Sequence, residues 1–240
     1  MEAQPALILQ LDGVSKIYRS GDFSITALDD VTLQIRGGEI VAIMGPSGSG
    51  KTTLLTIAGA LLRPTHGRVH ICGVEVTHMN ESRLAEIRRQ KVGFVYQSFN
   101  LLEALTALEN VRIVIQNGSR NGRIDAMERA TSLLAMFGLS HRIHALPKRM
   151  SDGEKQRVAI VRALAKDPEL ILADEPTANL DAKRGHEVMQ LLGQKAKELH
   201  KAVVVVSHDD RIRQFAHRVL WLEDGRLRDH HERLGDLASR

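Results

Sequence analysis

Residues 150–176 read MSDGEKQRVAIVRALAKDPELILADEP, and this stretch decides the fold of the chain. Ser151 and Glu154 stand three positions apart, as in a capping box, and they predict the start of a helix. The buried stripe expected on that helix consists of Val158, Val161, Leu164 and Ala165. The apolar run 170–173 comes next and leads into acidic residues, which predicts a buried strand with carboxylates at its carboxyl end.

Residues 45–52, GPSGSGKT, have the spacing G-x-x-x-x-G-K-[ST] of a phosphate-binding loop. They follow the apolar run 39–44 and precede a helical pattern with one apolar face, formed by Leu54, Ile57, Ala58, Leu61 and Leu62. Glycine lets backbone N–H groups turn towards phosphate oxygens, and a helix N-terminus adds partial positive charge. Lys51 is expected at the β- and γ-phosphates, and the Thr52 hydroxyl at a Mg²⁺ ion. The residues predicted to bind the nucleotide are Gly45, Pro46, Ser47, Gly48, Ser49, Gly50, Lys51, Thr52 and Thr53.

Several polar residues follow predicted strands, at the sheet edge where open α/β proteins bind ligands. Asp174 is expected to hold Mg²⁺ through water, and Glu175 to act as the base or orienting group for the attacking water. Gln97 is a candidate ligand of Mg²⁺ or of that water, and His208 is a candidate contact of the γ-phosphate. Each of them taken alone would be read as a structural residue, and the phosphate loop favours the functional interpretation.

The remaining pattern alternates between strands and helices. Early strands are predicted at 7–11, 25–28 and 31–35, with breaks at Gly13, Gly21 and Gly37–Gly38. Later strands are predicted at 92–96, 202–206 and 219–222, and a helical pattern occupies 99–147. Apolar strands separated by helices imply an α/β fold with a mostly parallel sheet covered on both faces.

The composition is that of a globular protein, with 43% of the 240 residues hydrophobic and 26% charged. The longest apolar runs are too short to span a bilayer, and no secretory signal is recognised. Cys72 is the only cysteine, so an internal disulfide is excluded and a reducing, cytoplasmic compartment is expected. The positive residues behind the net charge of +4 are scattered and aromatic residues make up 3%, so no nucleic acid partner is expected.

Residues 152–164 resemble the signature segment of ATP-binding cassette (ABC) proteins, usually written LSGGQ-x-QR. Other segments resemble the remaining motifs of that family in register: 45–52 the Walker A loop, Gln97 the Q-loop, 170–175 the Walker B strand with its catalytic glutamate, 178–181 the D-loop and 207–209 the H-loop. Tyr18 matches the aromatic residue that stacks on adenine, and the alternative is an ordinary edge-strand tyrosine. The resemblance covers nearly the whole chain.

The resemblance refines the expected fold. It implies an α/β protein with a P-loop NTPase core and a mostly parallel sheet, an N-terminal antiparallel β subdomain and an inserted helical subdomain. The whole chain, 1–240, would be a single ABC ATPase domain. Its core would comprise 1–97 and 165–240, and the helical subdomain would occupy about 98–164.

The resemblance also implies an enzyme, a Mg²⁺-dependent ATP hydrolase, with ATP and Mg²⁺ as its cofactors. The catalytic residues would be Glu175, His208 and Gln97, and the residues at the metal would be Thr52, Gln97 and Asp174. Two copies would form a head-to-tail homodimer with ATP held between them. The residues that contact the ATP of the other copy would be Ser151, Gly153 and Glu154.

The implied partners are integral-membrane permease subunits encoded separately, so the chain would lie on the cytoplasmic face of the membrane. Residues 95–102 and 105–111 resemble the lipoprotein-releasing and macrolide-efflux group of ABC proteins, which includes LolD-like, MacB-like and DevA-like glycolipid exporters. This closer resemblance implies export, or extraction of a lipid or lipoprotein. Two alternatives are an ABC ATPase coupled to a permease-like partner that does not transport, and an ABC ATPase acting on nucleic acid.

The signature segment departs from the family pattern at Met150 and at Asp152. Methionine in place of leucine conserves volume. Aspartate in place of glycine brings a negative charge beside a triphosphate, and at about 6 Å with an effective dielectric constant near 20 the repulsion is roughly 3 kcal/mol. We expect Asp152 to point away to solvent, because the other catalytic positions match the family.

Overall fold

The computed structural model describes residues 5–21, 23–116 and 126–229. In chain order its strands are β1 (Leu7–Ser20), β2 (Phe23–Arg36), β3 (Ile40–Met44), β4 (His66–Ile71), β5 (Val74–Glu75), β6 (Val92–Val95), β7 (Leu170–Asp174), β8 (Ala202–Ser207), β9 (Arg218–Glu223) and β10 (Arg226–Asp229). Its α-helices are α1 (Lys51–Ala58), α2 (Glu81–Lys91), α3 (Ala107–Gln116), α4 (Ala126–Met136), α5 (Asp152–Leu164) and α6 (Ala182–Glu198). Short 3₁₀ helices lie at Ser140–Arg142, Pro147–Arg149 and Asp210–Phe215.

A six-stranded sheet forms the centre of the molecule, in the order β10-β9-β3-β8-β7-β6. Its strands pair in parallel, except that β10 pairs antiparallel with β9. Met44 at the end of β3 lies beside Ser207 of β8, and Asp174 at the end of β7 lies beside Val206. The mostly parallel sheet predicted from the sequence is confirmed, and its central strands end side by side.

The parallel strands are buried on both faces, so their apolar side chains alternate between two hydrophobic clusters. On β3, Val41 and Ile43 point to the cluster that contains α1 and the N-terminal sheet. Ile40 and Ala42 of the same strand point to the cluster that contains α3, α4, α5 and α6. This double covering explains why β3 and β8 are continuous apolar runs in the sequence.

The N-terminal sheet is antiparallel, in the order β2-β1-β4-β5. The predicted break at Gly13 is wrong, because β1 runs through this residue from Leu7 to Ser20. The register with β2 shifts between Leu11 and Val14, and Gly13 adopts φ +57°. A β-bulge with a left-handed glycine therefore absorbs an extra residue without ending the strand.

Helix α1 is shorter than its apolar pattern predicts. It ends at Ala58, and the next residue, Gly59, caps it through backbone hydrogen bonds. Leu61 is exposed and only Leu62 packs against the core, so the predicted helical face stops after the second turn.

The helices α3, α4 and α5 lie between β6 and β7 in the chain and pack on one another, which confirms the inserted helical subdomain. The predicted stripe on α5 is buried, as are Ala159 and Ile160 between its members. The exact limits of the subdomain, 98–164, stay a prediction. The breaks expected at Gly118 and Gly122 lie outside the described residues.

A substitution at Gly93 of β6 tests the close contact between the sheet and α5. A Cβ atom at this position would lie 2.5 Å from the carbonyl oxygen of Ala163, and backbone has little freedom to retreat. We expect Gly93→Ala to lower the free energy of unfolding by about 1–3 kcal/mol, as overpacking does in cores. Urea denaturation at neutral pH measures this.

Gly193→Ala is the matched control, because a Cβ there meets only Ile40 Cδ1, at 3.5 Å. Gly193 lies inside α6, where alanine favours the helix by up to about 1 kcal/mol. The control is therefore expected to be neutral or stabilising. Equal stability of Gly93→Ala and the unmodified chain would contradict the tight contact.

Candidate functional site

The loop between β3 and α1 has a backbone that only glycine permits at two points. Gly45 has φ +154°, and a Cβ on it would lie 2.0 Å from the carbonyl oxygen of Leu222. Gly50 has φ +103°, and its Cβ would lie 2.3 Å from the carbonyl oxygen of Ala27. Both glycines of the predicted pattern are therefore needed for this loop to pack against β2 and β9.

Lys51 begins α1 and folds back over the loop. Its Nζ donates hydrogen bonds to the carbonyl oxygens of Gly45, at 2.9 Å, and Pro46, at 2.8 Å. Burial lowers the pKa of this ammonium, and the nearby carboxylates of Glu175 and Asp174 oppose the shift. The lysine is thus a partly desolvated cation facing two acids.

Asp174, the last residue of β7, accepts a hydrogen bond from the Thr52 hydroxyl at 3.3 Å. Burial raises the pKa of the Asp174 carboxyl and Glu175 adds to the rise, whereas Thr52 and Lys51 oppose it. Thr52 and Asp174 are 122 positions apart in the chain, so only the parallel pairing of the sheet brings these two oxygens together.

Glu175 follows β7 in a left-handed conformation, with φ +46°. Its N–H donates to the carbonyl oxygen of Val206 at 2.9 Å, which ties it to β8. Its carboxylate accepts hydrogen bonds from the Ser207 hydroxyl, at 2.7 Å, and from the His208 N–H, at 3.1 Å. Strain of this kind, of about 1–3 kcal/mol, persists where surrounding contacts hold the residue, and it is concentrated at functional sites.

His208 lies directly after β8, and its Nδ1 is 2.7 Å from the Glu175 carboxylate. The imidazole is 70% exposed, whereas the Glu175 side chain is 13% exposed. The ring therefore covers a nearly buried acid and leaves its other nitrogen towards solvent.

These residues surround one open cleft of about 400 Å³ at the carboxyl edge of the parallel sheet. The predicted residues that line it are Ser47, Gly48, Gly50, Lys51, Thr52, Thr53, Gln97, Asp174, Glu175 and His208. Gln97 enters from the end of β6, and its carbonyl oxygen accepts a hydrogen bond from Asn179 at 2.7 Å. The predicted residues that meet at this cleft thus come from four separate parts of the chain.

Tyr18 and the residues at the start of α5 are not among the residues that line the cleft. Tyr18 lies on β1 opposite Ile25, is 44% exposed and has Lys16 Nζ 5.4 Å from its ring centroid. Its ring is therefore an accessible flat surface on the N-terminal sheet.

The capping box at the start of α5 is present as predicted. The Ser151 hydroxyl accepts a hydrogen bond from the Glu154 N–H at 3.4 Å, and the Ser151 N–H donates to the Glu154 carboxylate at 2.8 Å. Arg142 Nε donates to the same carboxylate at 2.8 Å. Ser151 and Asp152 are exposed, whereas Gly153 and Glu154 are buried, so the helix presents its first residues outwards.

The sequence predicts that Asp152 points to solvent; in the structure its side chain is half exposed and pairs with a lysine of its own helix. Its Oδ1 lies 3.0 Å from Lys155 Nζ, and its side chain is 52% exposed. The carboxylate also lies in the first turn, where the helix dipole favours a negative charge.

The described residues hold no group of three or more His, Cys, Asp and Glu side chains suited to a metal ion. A Mg²⁺ ion bound with a nucleotide needs fewer protein ligands, because water and phosphate oxygens complete its octahedron. Thr52, Asp174 and Gln97 bring a hydroxyl, a carboxylate and an amide to one cleft, a donor set that fits such an ion.

The family model described as ABC transporter matches residues 28–178. The chain belongs to the ABC transporter family. It is an ATP-binding subunit of the LolD and MacB type, and it is an ATP hydrolase. Within the described ranges, this ABC subunit has no helix with both the length and the hydropathy of a membrane span.

Relatives of this ABC subunit share most of its length. The uncharacterized ABC transporter ATP-binding protein MJ0796 of Methanocaldococcus jannaschii is 45% identical over 224 residues, which are 92% of this chain and 95% of the relative. The lipoprotein-releasing system ATP-binding protein LolD of Shewanella oneidensis is 45% identical over 221 residues, covering 92% and 96% of the two chains. The macrolide export ATP-binding/permease protein MacB of Rhodopirellula baltica is 44% identical over 219 residues, which are 91% of this chain and 32% of MacB.

The fold is also that of a solved ABC structure. The dimeric MJ0796 cassette in a post-hydrolysis state, bound to ADP and Pi, has a TM-score of 0.84 and 43% identity to this ABC subunit. The superposition covers 92% of this chain and 98% of that one. The confirmed features are therefore the family, the α/β P-loop fold and the enzyme class.

Three contributors to the cleft of this ABC subunit are not among the site residues predicted from the sequence. Ser207 is 1% exposed and donates to Glu175, Ala27 lines the cleft from β2, and Asn179 holds the Gln97 carbonyl. Ser207 and Asn179 lie in the segments that resemble the H-loop and the D-loop, so the sequence predicts their regions but not their contacts. The parts played by Ala27 and Asn179 depend on contacts between distant segments, which no local pattern encodes.

Glu154 tests how the start of α5 is held. Burial raises the pKa of its carboxyl, but hydrogen bonds from the Ser151 N–H, Arg142 and the Ser151 hydroxyl lower it more, to about 2. A carboxyl with a depressed pKa stabilises the fold above its unfolded-state pKa, and the gain is lost as pH falls towards 2. We expect Glu154→Gln to be less stable than the unmodified chain by roughly 3 kcal/mol at pH 7.

Urea denaturation of both proteins at pH 7 and pH 3.5 measures the difference. The gap in the free energy of unfolding is expected to narrow by roughly 1 kcal/mol at the lower pH, because Glu154 is then mostly protonated in the unfolded chain and still mostly charged in the folded one. A gap that is the same at both pH values would show that the lost contacts do not depend on charge.

Proposed function

We propose that this chain binds ATP with Mg²⁺ in the cleft, hydrolyses it with Glu175 as the base, and powers separately encoded membrane permease subunits. The work done would be export, or extraction of a lipid or lipoprotein. The observation that carries the proposal is the convergence of Lys51, Thr52, Asp174 and Glu175 at one sheet edge. The names of two relatives, the lipoprotein-releasing protein LolD and the macrolide export protein MacB, support export or extraction as the work done.

The phosphate loop supplies the donors for the triphosphate. Lys51 Nζ is held by two carbonyl oxygens, and phosphate oxygens would replace them as stronger, charged acceptors. Ser49 is 6% exposed, and its buried hydroxyl has no hydrogen-bond partner within the described residues. A buried polar group without a partner is costly, so a phosphate acceptor at the loop would satisfy it. The backbone N–H groups at the start of α1 complete the anion site.

Thr52, Asp174 and Gln97 would hold the metal. Their hydroxyl, carboxylate and amide oxygens are the hard ligands that Mg²⁺ takes beside phosphate and water. The ion supplies positive charge where negative charge develops on the transferred phosphoryl group. The Asp174 carboxyl has a raised pKa as a result of burial, and a cation beside it would favour the charged form.

Glu175 is placed to orient the attacking water and accept its proton. Its carboxylate is nearly buried and is fixed by Ser207 on one oxygen and by His208 on the other. A fixed carboxylate loses no freedom when the water arrives, which is how positioned groups accelerate a reaction. The exposed nitrogen of His208 would reach the γ-phosphate.

The homodimer would place ATP between the cleft of one copy and the start of α5 of the other. The exposed Ser151, and the N–H groups at the first turn of that helix, would offer a second anion site away from the cleft. Solved neighbours of this chain are dimers of cassettes. Tyr18 would stack on adenine, since its ring is accessible.

The permease would dock on a groove between β6, α3 and α5. Leu102 is 49% exposed and Ile113 is 37% exposed, and both line this groove. Arg162 of α5 donates hydrogen bonds to the carbonyl oxygens of Phe99, at 2.8 Å, and Asn100. These bonds tie the groove to the segment that follows Gln97, so a change at the γ-phosphate would reach the permease.

Glu175→Gln tests the catalytic proposal. The substitution preserves shape and removes the base, so steady-state phosphate release is expected to fall by about 10²- to 10⁴-fold. Binding of MgATP, followed by calorimetry, is expected to stay unchanged, because the phosphate loop is intact. Glu198→Gln, an exposed acid on α6, serves as the control and is expected to keep the rate. An unchanged rate in Glu175→Gln would exclude this residue as the base.

The docking groove predicts a second result. The double variant Leu102→Asp, Ile113→Asp is expected to reduce copurification of a tagged chain with its permease by roughly tenfold or more, as loss of buried apolar anchors does. The ATPase rate of the isolated chain is expected to be unaffected. Val74→Asp, a similarly exposed apolar residue on β5 of the N-terminal sheet, is the control. Full copurification of the double variant would place the permease elsewhere.

A further inference from the structure

Lys155 is the counter-ion of Asp152, the acid that stands where the family's signature segment has a glycine. Its Nζ lies 3.0 Å from Asp152 Oδ1, across one turn of α5. The lysine side chain is 25% exposed, whereas that of Asp152 is 52% exposed. Asp152 stands between Ser151 and Gly153, the residues that the proposed function places against the nucleotide of a second copy.

Lys155 also has an aromatic ring as a second partner. Its Nζ is 5.8 Å from the ring centroid of Phe99, within the range of a cation–π interaction. Phe99 is in turn fixed, because its carbonyl oxygen accepts a hydrogen bond from Arg162 at 2.8 Å. The ammonium therefore has two partners, the aromatic ring and the carboxylate, and it has less freedom than an ordinary surface lysine.

This ion pair lies where a second copy would cover it, whereas an ordinary surface pair stays in water. On an open surface, exposed pairs of this type contribute little, because water screens them. Closing a second copy with its triphosphate over the start of α5 would remove that water. Charges then interact more strongly, and an uncompensated carboxylate beside the phosphates would oppose closure.

We propose that Lys155 is a positioning residue that makes an acidic signature segment compatible with ATP-driven dimerisation. It neutralises Asp152 and keeps the carboxylate on the surface of its own helix, turned away from the nucleotide of the other copy. The inference rests on the proposed function, because it requires ATP to lie between two copies.

The test uses the Glu175→Gln chain, in which slow hydrolysis lets the ATP-bound dimer accumulate. Sedimentation velocity with saturating MgATP gives the dimer dissociation constant. Adding Lys155→Gln is expected to weaken the dimer by roughly 10- to 100-fold, the effect of one uncompensated charge near a triphosphate. Adding both Asp152→Asn and Lys155→Gln is expected to restore the dissociation constant, because no charge is then left unpaired. Recovery in this variant also shows that the chain still folds.

Lys195→Gln is the matched control. Lys195 pairs with Glu198 at 2.7 Å with the same three-residue spacing, in the last turn of α6. Since α6 leads into β8, this turn lies at the amino edge of the sheet, away from the cleft. The control is expected to leave the dimer unchanged. Titration of the monomer with a fluorescent ATP analogue is expected to give equal affinities in all variants, because each keeps its own phosphate loop.

Two outcomes would overturn the inference while the proposed function stands. In one, Lys155→Gln leaves the dimer as tight as before. In the other, Lys155→Gln weakens the dimer by the same factor whether position 152 is Asp or carries Asp152→Asn. Lys155 would then act on the nucleotide or on Phe99, and not through Asp152. If the Glu175→Gln chain itself stays monomeric at saturating MgATP, the two-copy arrangement is contradicted and this inference with it.

Discussion

In the central sheet, Met44 of β3 lies beside Ser207 of β8, and Asp174 of β7 lies beside Val206 of the same strand. Parallel pairing in this register makes three strands end together, and everything in the cleft follows from those ends. The phosphate loop leaves β3, the acids close β7, and the serine and histidine close β8. A shift of register by one residue would move each of these groups and turn the strands' side chains to the wrong faces.

The cleft brings charged and hydrogen-bonding side chains close together even without a ligand. Burial lowers the pKa of Lys51 and raises the pKa of Asp174, so both charged forms are disfavoured by the same desolvation. Glu175 is held in a left-handed conformation by contacts to β8. In our proposal, the triphosphate and its metal complete these partners, and the start of α5 from a second copy closes the site.

Much of this arrangement is predictable from the sequence, because short-range spacing encodes it. The glycines and lysine of 45–52, and the acids that follow an apolar strand, have local patterns with a direct physical meaning. The continuation of strand β1 through Gly13 is not predictable from the sequence. A left-handed glycine fits a bulge inside a strand as well as a turn that ends it. The apolar spacing does not show the end of α1 at Ala58, because it continues to Leu62 although the regular i→i−4 hydrogen bonds end with the N–H of Gly59. The partners of Glu175 come from β8, and contacts at such a distance need the fold.

The central claim is that Ser151 of one copy completes the site around Lys51 of the other, and mixed dimers test it most directly. Lys51→Ala removes the phosphate contact, and Ser151→Asp keeps a good helix cap but faces the nucleotide with a charge. Each variant alone is expected to be inactive. An equal mixture should recover about a quarter of the unmodified rate, because half of the dimers are mixed and each has one intact site. A mixture as inactive as its components would contradict the account, since sites built within one copy cannot complement each other.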